Sequence, residues 1–122
     1  MTLDATGGDK RNMLRWGEFR FVIDTTVCTL QVYRIDPGEM RLFVPFRDET
    51  AEAETYPMGR YLDLEPRVHR TPEGTWILDF NEAYNPWCAY TDGYSCLIPP
   101  HENALDLPIP AGEKRYPHPE HS

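Results

Sequence analysis

Apolar and polar residues alternate along three consecutive stretches in the first half of the chain. An apolar period of two residues is typical of β-strands that bury one face. The apolar members of the three stretches are, in order, Phe19, Phe21 and Ile23; Cys28, Leu30 and Val32; and Met40, Leu42, Val44 and Phe46. The sequence therefore predicts three successive strands.

Turn-forming residues separate these strands. Asp24-Thr25-Thr26 follows the first strand, and Asp36-Pro37-Gly38 follows the second. Both segments favour sharp turns, so neighbouring strands are expected to pair antiparallel. Pro45 lies inside the third stretch. Since proline has no N–H to donate to a sheet, it predicts an edge position or a bulge.

Later strand candidates are shorter and more interrupted. Residues 48–55 are acidic and small, and we interpret them as a loop. Residues 61–64 and 67–70 are strand candidates on either side of Pro66, and residues 75–80 alternate again. Beyond Phe80 the alternation stops and prolines become frequent, which favours extended segments over helices.

The overall pattern predicts a mostly β fold. We expect a small antiparallel β-sandwich or partly open barrel, with a long Pro/Asn/Tyr-rich C-terminal loop region folded back against it. The 122 residues correspond to one domain. We assign 1–13 to a flexible N-terminal lead-in, 14–116 to the single β domain and 117–122 to a frayed tail.

Charge and composition exclude several classes of function. The net charge of −8 and the absence of any basic stripe argue against nucleic-acid binding. The sequence has neither an apolar signal region nor an apolar run of membrane-spanning length. Its three cysteines, an odd number, suit a reducing compartment. We therefore predict a cytoplasmic protein with no membrane partner.

Cys88 and Cys96 form a possible thiol pair. They can be joined in a disulfide, or they can bind a metal together with His101, although their spacing is unlike that of structural zinc sites. The favoured interpretation is two buried thiols that pack as small apolar groups. The sequence therefore predicts no metal and no cofactor.

Polar residues of the loops form the main candidate binding surface. Amide and phenol groups there can hold irregular backbone together, or they can orient a small polar ligand. Arg60 can hold a carboxylate or phosphate. It can also pair with an internal acid, namely Asp48, Asp63, Asp79 or Glu113, and the excess of acidic residues favours this second interpretation. The candidate ligand-binding residues are Arg60, Tyr61, Asn81, Tyr84, Asn85, Tyr90 and Asn103.

Several sequence blocks together resemble a known family. The blocks are LFVPFRD (42–48), ETYPMGRYLDL (54–64), LDFNEAYNPWCAY (78–90), CLIPPHEN (96–103) and IPAGEKRY (109–116). With these blocks, the chain resembles the bacterial and archaeal family called domain of unknown function 1684.

The resemblance implies no established activity. It does imply that related proteins are usually longer at the N-terminus, so that a sheet face or edge is left uncovered here, which favours self-association. We interpret the chain as a small-ligand-binding or protein-interaction module and expect a possible homo-oligomer. The alternative is a hydrolase-like enzyme with a Cys/His/acid or metal site, and whether the chain is an enzyme stays open.

Overall fold

The computed structural model describes residues 2–4, 10–12, 14–34, 40–51, 54–56, 58–86 and 96–114. A four-stranded antiparallel sheet of order β3-β4-β5-β6 is its centre, and β1 pairs with β2 separately. The strands are β1 (Thr2–Asp4), β2 (Lys10–Asn12), β3 (Leu14–Ile23), β4 (Thr26–Arg34), β5 (Leu42–Phe46) and β6 (Arg60–Leu64). The prediction of a mostly β fold is confirmed. Among the described residues, no helix has the length and apolar character needed to cross a membrane.

The longest pairing joins β3 and β4 in a hairpin. Its turn consists of Asp24 and Thr25, both with positive φ (47° and 69°), and Ile23 lies opposite Thr26. A two-residue turn with two positive φ angles matches the right-handed twist of the flanking strands. The register shifts between Arg15 and Gly17, which marks a bulge near the start of β3.

The pairing between β4 and β5 is short. The ladder between them contains two residue pairs, Tyr33 with Phe43 and Arg34 with Leu42. Further along, β5 continues to pair with β6 through Pro45 and Phe46, while β4 diverges from it. Pro45, which has no N–H, therefore lies beside the gap between β4 and β5, where the ladder has already ended.

One face of the sheet carries the main core. The C-terminal segment returns to this face, so residues late in the chain pack against strands formed early. The buried members of the core are Cys28, Leu30, Val32, Leu42, Val44, Phe46, Leu62, Leu64, Ala83, Leu105, Leu107 and Ile109.

Three segments differ from the sequence expectations. Residues 67–70 were predicted as a strand and instead belong mostly to one helical turn, α1 (Pro66–His69), because proline at a first helical position presets φ. Residues 75–80 form no regular strand, and a single bridge joins Trp76 to Arg70. The segment expected to be a flexible lead-in contains β1 and β2, and its Leu3 is buried.

Candidate functional site

Arg60, a candidate either to bind an anion or to pair with an internal acid, is buried inside the protein. Its side chain is 0% exposed, and its Nη2 lies 3.2 Å from Oδ1 of Asp48, which is 2% exposed. The guanidinium also donates to the backbone carbonyls of Ile109, Ala111 and Glu113. We call Arg60, Asp48 and these carbonyls the arginine clamp. The clamp fastens the C-terminal segment to β6.

Asp48 organises the other half of the clamp. Its Oδ2 accepts hydrogen bonds from the Thr50 hydroxyl at 2.7 Å, from the Thr50 N–H at 3.2 Å and from the Ile109 N–H at 2.6 Å. A buried carboxylate needs such donors, because desolvation otherwise disfavours its charge. Internal contacts therefore surround the carboxylate that faces Arg60.

The backbone ahead of Arg60 is tightly constrained. Gly59 has φ of +109°, and a Cβ there would lie 2.5 Å from the carbonyl oxygen of Phe46. Only glycine tolerates both the conformation and the close approach. The guanidinium carbon of Arg60 lies 5.2 Å from the ring centroid of Phe46, within cation–π range.

Asn103 closes the gap between β4 and β5. Its side chain is fully buried and contacts both strands. The Oδ1 atom accepts from the Gln31 N–H at 2.7 Å, while Nδ2 donates to the carbonyls of Gln31 at 3.0 Å and Pro45 at 2.7 Å. One amide thus replaces the backbone hydrogen bonds that the diverging strands do not make with each other.

Asn85 also binds backbone of the C-terminal segment. Its N–H donates to the Glu113 carboxylate at 2.7 Å, and its Nδ2 donates to the Lys114 carbonyl at 3.0 Å. Asn81 is exposed, and its N–H donates to the Asp79 carboxylate at the start of a 3-10 turn (Phe80–Glu82). Both residues stabilise irregular backbone.

Tyr61 and Tyr84 lie on the sheet face opposite the main core. Tyr61 donates to the Leu97 carbonyl at 2.7 Å, and its ring contacts the rings of Phe43 and Tyr84. Tyr84 donates to the Asp63 carboxylate at 2.9 Å. Burial, and then the nearby charge of Asp63, raise the pKa of the Tyr84 hydroxyl above its ordinary value.

The cysteines have different environments. Cys96 is disulfide-bonded, so the interpretation of Cys96 as a buried thiol is wrong. Cys28 is a free, buried thiol whose pKa is raised by burial. Cys88 and Tyr90 lie outside the described residues. His101 is exposed, and within the described ranges no group of three His, Cys, Asp or Glu side chains is arranged to hold a metal.

The residues predicted to form a ligand site thus contact the chain itself at several separate places. Arg60 and Asn85 both bind the C-terminal segment, whereas Asn103 binds β4 and β5. Their ligand-binding role stays a prediction. The geometry that the described residues show is the structural alternative, in which buried polar groups satisfy irregular backbone.

A different feature is an open depression on the surface beside β3. An open cleft of about 540 Å³ lies between β3 and the segment 75–80. We call it the aromatic cleft. Its apolar lining consists of Phe19, Phe21, Val22, Ile23, Trp76, Leu78 and Phe80, and its other lining residues are Arg20 and Thr75.

Ring contacts hold the two walls of the aromatic cleft in place. The ring centroids of Phe19 and Trp76 are 5.8 Å apart, and those of Phe21 and Phe80 are also 5.8 Å apart. Trp16 extends the row, with its centroid 5.6 Å from that of Trp76. Because each pair joins β3 to the segment 75–80, packing of rings within the chain fixes the positions of the two walls.

Sequence reasoning assigned the cleft residues to strands and missed the cleft. The alternation of Phe19, Phe21 and Ile23 predicts one buried face, yet these side chains are only half-buried. The sequence feature that could have indicated the cleft is the second alternating run, from Trp76 to Phe80. Together with β3 it contains more aromatic surface than a single edge strand can bury.

Comparisons with known proteins agree with this fold. A solution NMR structure of the uncharacterized protein from gene locus rrnAC0354 of Haloarcula marismortui is similar, with a TM-score of 0.73 and 38% sequence identity. The match covers 93% of this chain and 62% of that protein. The search of curated proteins gave no match. The family model described as protein of unknown function (DUF1684) matches residues 1–114, and the chain belongs to this family.

Proposed function

We propose that the domain binds a small, uncharged molecule that contains an apolar ring, and that it does so in the aromatic cleft. The observation that carries the proposal is the cleft itself: about 540 Å³ of open space bordered by the contacting rings of β3 and of the segment 75–80. Small-molecule sites usually have volumes of about 300 to 1,000 Å³ and mostly apolar linings.

The half-buried rings support binding more than they support core packing. Phe19, Phe21 and Phe80 contact the main core while part of each remains exposed. Burial of such apolar surface by a ligand contributes about 25 cal/mol of favourable binding free energy per Å². A ligand that fills the cleft therefore gains apolar contact on both walls.

The charged groups near the cleft favour an uncharged ligand. Arg20 is the cation among the lining residues, and its guanidinium lies 3.5 Å from the Glu18 carboxylate. An anionic ligand would have to compete with Glu18, and the net charge of −8 opposes its approach. An uncharged ring neither competes with Glu18 for Arg20 nor is repelled by the net negative charge.

The hydrolase alternative has no comparable support. Among the described residues, no hydrogen bond joins a Cys, Ser or Thr side chain to a histidine, and the contacts of His69 are with Glu65 and Glu82. An activated nucleophile requires such a base. Binding is therefore the function that the described contacts favour.

Fluorescence of N-phenyl-1-naphthylamine, a neutral apolar dye, tests the proposal. We expect the wild-type protein to bind the dye, with energy transfer from Trp76 in the cleft lining. Leu78→Glu places a charge in the lining and should weaken binding at least about tenfold, because the carboxylate must be desolvated.

Ile77→Glu is the matched control. It introduces the same charge one position away, on a side chain that is exposed and is not part of the lining. The control should retain dye binding. Equal binding by both variants, or no binding by the folded wild type, would contradict the proposal.

A further inference from the structure

Strand β3 lies at one edge of the main sheet. It spans Leu14–Ile23, ten residues, and pairs with β4 on its inner side. In the described part of the chain, no backbone hydrogen bond joins β3 to any element other than β4. An edge of this length presents a row of N–H and C=O groups that can pair with another strand.

The hairpin turn determines which residues direct their backbone groups outward. Closure by a two-residue turn makes Ile23 and Thr26 a hydrogen-bonded pair. Hydrogen-bonded and non-hydrogen-bonded pairs then alternate along an antiparallel ladder. The backbone groups of Glu18, Arg20 and Val22 therefore point to the open side.

We propose that β3 pairs antiparallel with β3 of a second copy of this chain, with Phe19 at the two-fold axis. In this register Glu18 lies opposite Arg20 of the partner subunit, and Arg20 lies opposite Glu18 of the partner subunit. Both side chains are exposed, by 40% for Glu18 and 75% for Arg20. Opposite charges at facing positions stabilise a strand pair.

The charges select this register over its neighbours. Moving the axis to Glu18 places Glu18 opposite its own copy, and moving it to Arg20 places two arginines opposite each other. Like charges at facing positions are destabilising. Of these three registers, only the one centred on Phe19 is self-complementary in charge, and self-complementarity is the requirement for a two-fold symmetric interface.

Gly17 supplies a second, independent reason for this register. A Cβ built at Gly17 meets no atom within 4 Å, so open space borders the strand there. With Phe19 at the axis, Phe21 of the partner subunit lies opposite Gly17 on the same sheet face as the aromatic cleft. An aromatic side chain across from an edge glycine covers exposed backbone and stabilises the pair.

The proposal does not depend on ligand binding, although the two sites are neighbours. Phe19 and Phe21 line the cleft and would also lie beside the axis. Pairing would place the clefts of the two copies side by side on one continuous sheet. Glu18 is not a lining residue of the cleft, so Glu18→Arg should lose the dimer and keep dye binding, which separates failure of one proposal from failure of the other.

Sedimentation of charge variants tests the dimer. The wild type should sediment with about twice the chain mass of 14.2 kDa at sufficient concentration. Arg20→Glu and Glu18→Arg each replace both attractive pairs by repulsive ones, so each should weaken self-association at least about tenfold.

Mixing the two variants provides the decisive result. One variant carries two acids at these positions and the other carries two bases, so the mixture should form a heterodimer although neither forms a homodimer. Circular dichroism establishes that each variant is folded, and Arg67→Glu changes the same charge at an exposed site on α1 without affecting the dimer. A monomeric wild type, unaffected Arg20→Glu dimers, or a mixture without heterodimers would each overturn the proposal.

Discussion

The arginine clamp and the aromatic cleft adjoin each other but are built in opposite ways. In the clamp, charged side chains are almost fully buried and bind partners within the chain. In the cleft, apolar rings are partly exposed and border open space. The two regions meet where Phe46, under Arg60, contacts Phe80 with ring centroids 5.4 Å apart.

The difference shows that residue type alone is a poor guide to function in this fold. Arg60 and Asn103 were each open to a ligand-binding or a structural interpretation, and both are among the least exposed side chains of the described chain. When a buried polar group is removed, its hydrogen-bond partners are left unsatisfied in the protein interior, where no water replaces the lost bond. Mutations in the clamp should therefore lower the free energy of unfolding, whereas mutations in the cleft should weaken ligand binding.

The largest effect is expected at Arg60. Arg60→Met leaves the Asp48 carboxylate buried without its cation and should lower the free energy of unfolding by about 4 kcal/mol. Urea denaturation measures this change. Adding Asp48→Asn should recover part of the loss, since no buried charge then remains unpaired.

Arg67→Met is the control for this experiment, because Arg67 is exposed on α1. It should change stability by no more than about 0.5 kcal/mol. If Arg60→Met instead left stability unchanged and abolished dye binding, Arg60 would belong to the binding site. That result would contradict the distinction between a structural clamp and a ligand-binding cleft.

A somewhat smaller effect is expected at Asn103. Asn103→Ala removes the partner of the Gln31 N–H and of the carbonyls of Gln31 and Pro45. Unpaired buried groups cost about 1 to 3 kcal/mol each, so a loss of about 3 kcal/mol is expected in thermal or urea unfolding. Asn81→Ala, at an exposed position, should be nearly neutral, and an equal effect of both substitutions would argue against the role assigned to Asn103.

The smallest effect concerns Tyr84 and pH. The folded state raises the pKa of this hydroxyl, so the proton is held more tightly in the folded than in the unfolded chain. The resulting stability is present below the ordinary tyrosine pKa of about 10 and is lost as pH rises above it. Tyr84→Phe should therefore show a shallower alkaline loss of stability in urea denaturation than the wild type. An unchanged or steeper alkaline loss would contradict the assigned shift.

Sequence reasoning anticipated the strands better than the contacts between distant residues. The alternating residues of β3 and β4 and the turn at Asp24 and Thr25 are local features, and they appear as predicted. The helical turn at Pro66 was missed because four residues carry too little periodicity to distinguish a turn of helix from a strand.

The roles of individual polar residues depended on pairings far apart in sequence. Asn103 contacts Gln31, 72 positions earlier, and Arg60 contacts Ala111, 51 positions later. A single sequence identifies amides and charges suited to such contacts, but it does not say which partner each will meet. The aromatic cleft likewise depends on ring contacts between β3 and the segment 75–80, which are distant in sequence.

Chemical-shift mapping by NMR tests the central contrast most directly. Titration of the ¹⁵N-labelled protein with N-phenyl-1-naphthylamine should shift the amide signals of β3 and of residues 75–80, together with the indole N–H of Trp76. Signals of Arg60, Asn85 and Asn103 should move little. Shifts concentrated at those three residues, with β3 unaffected, would contradict the account. They would indicate that the polar residues, and not the aromatic cleft, form the binding site.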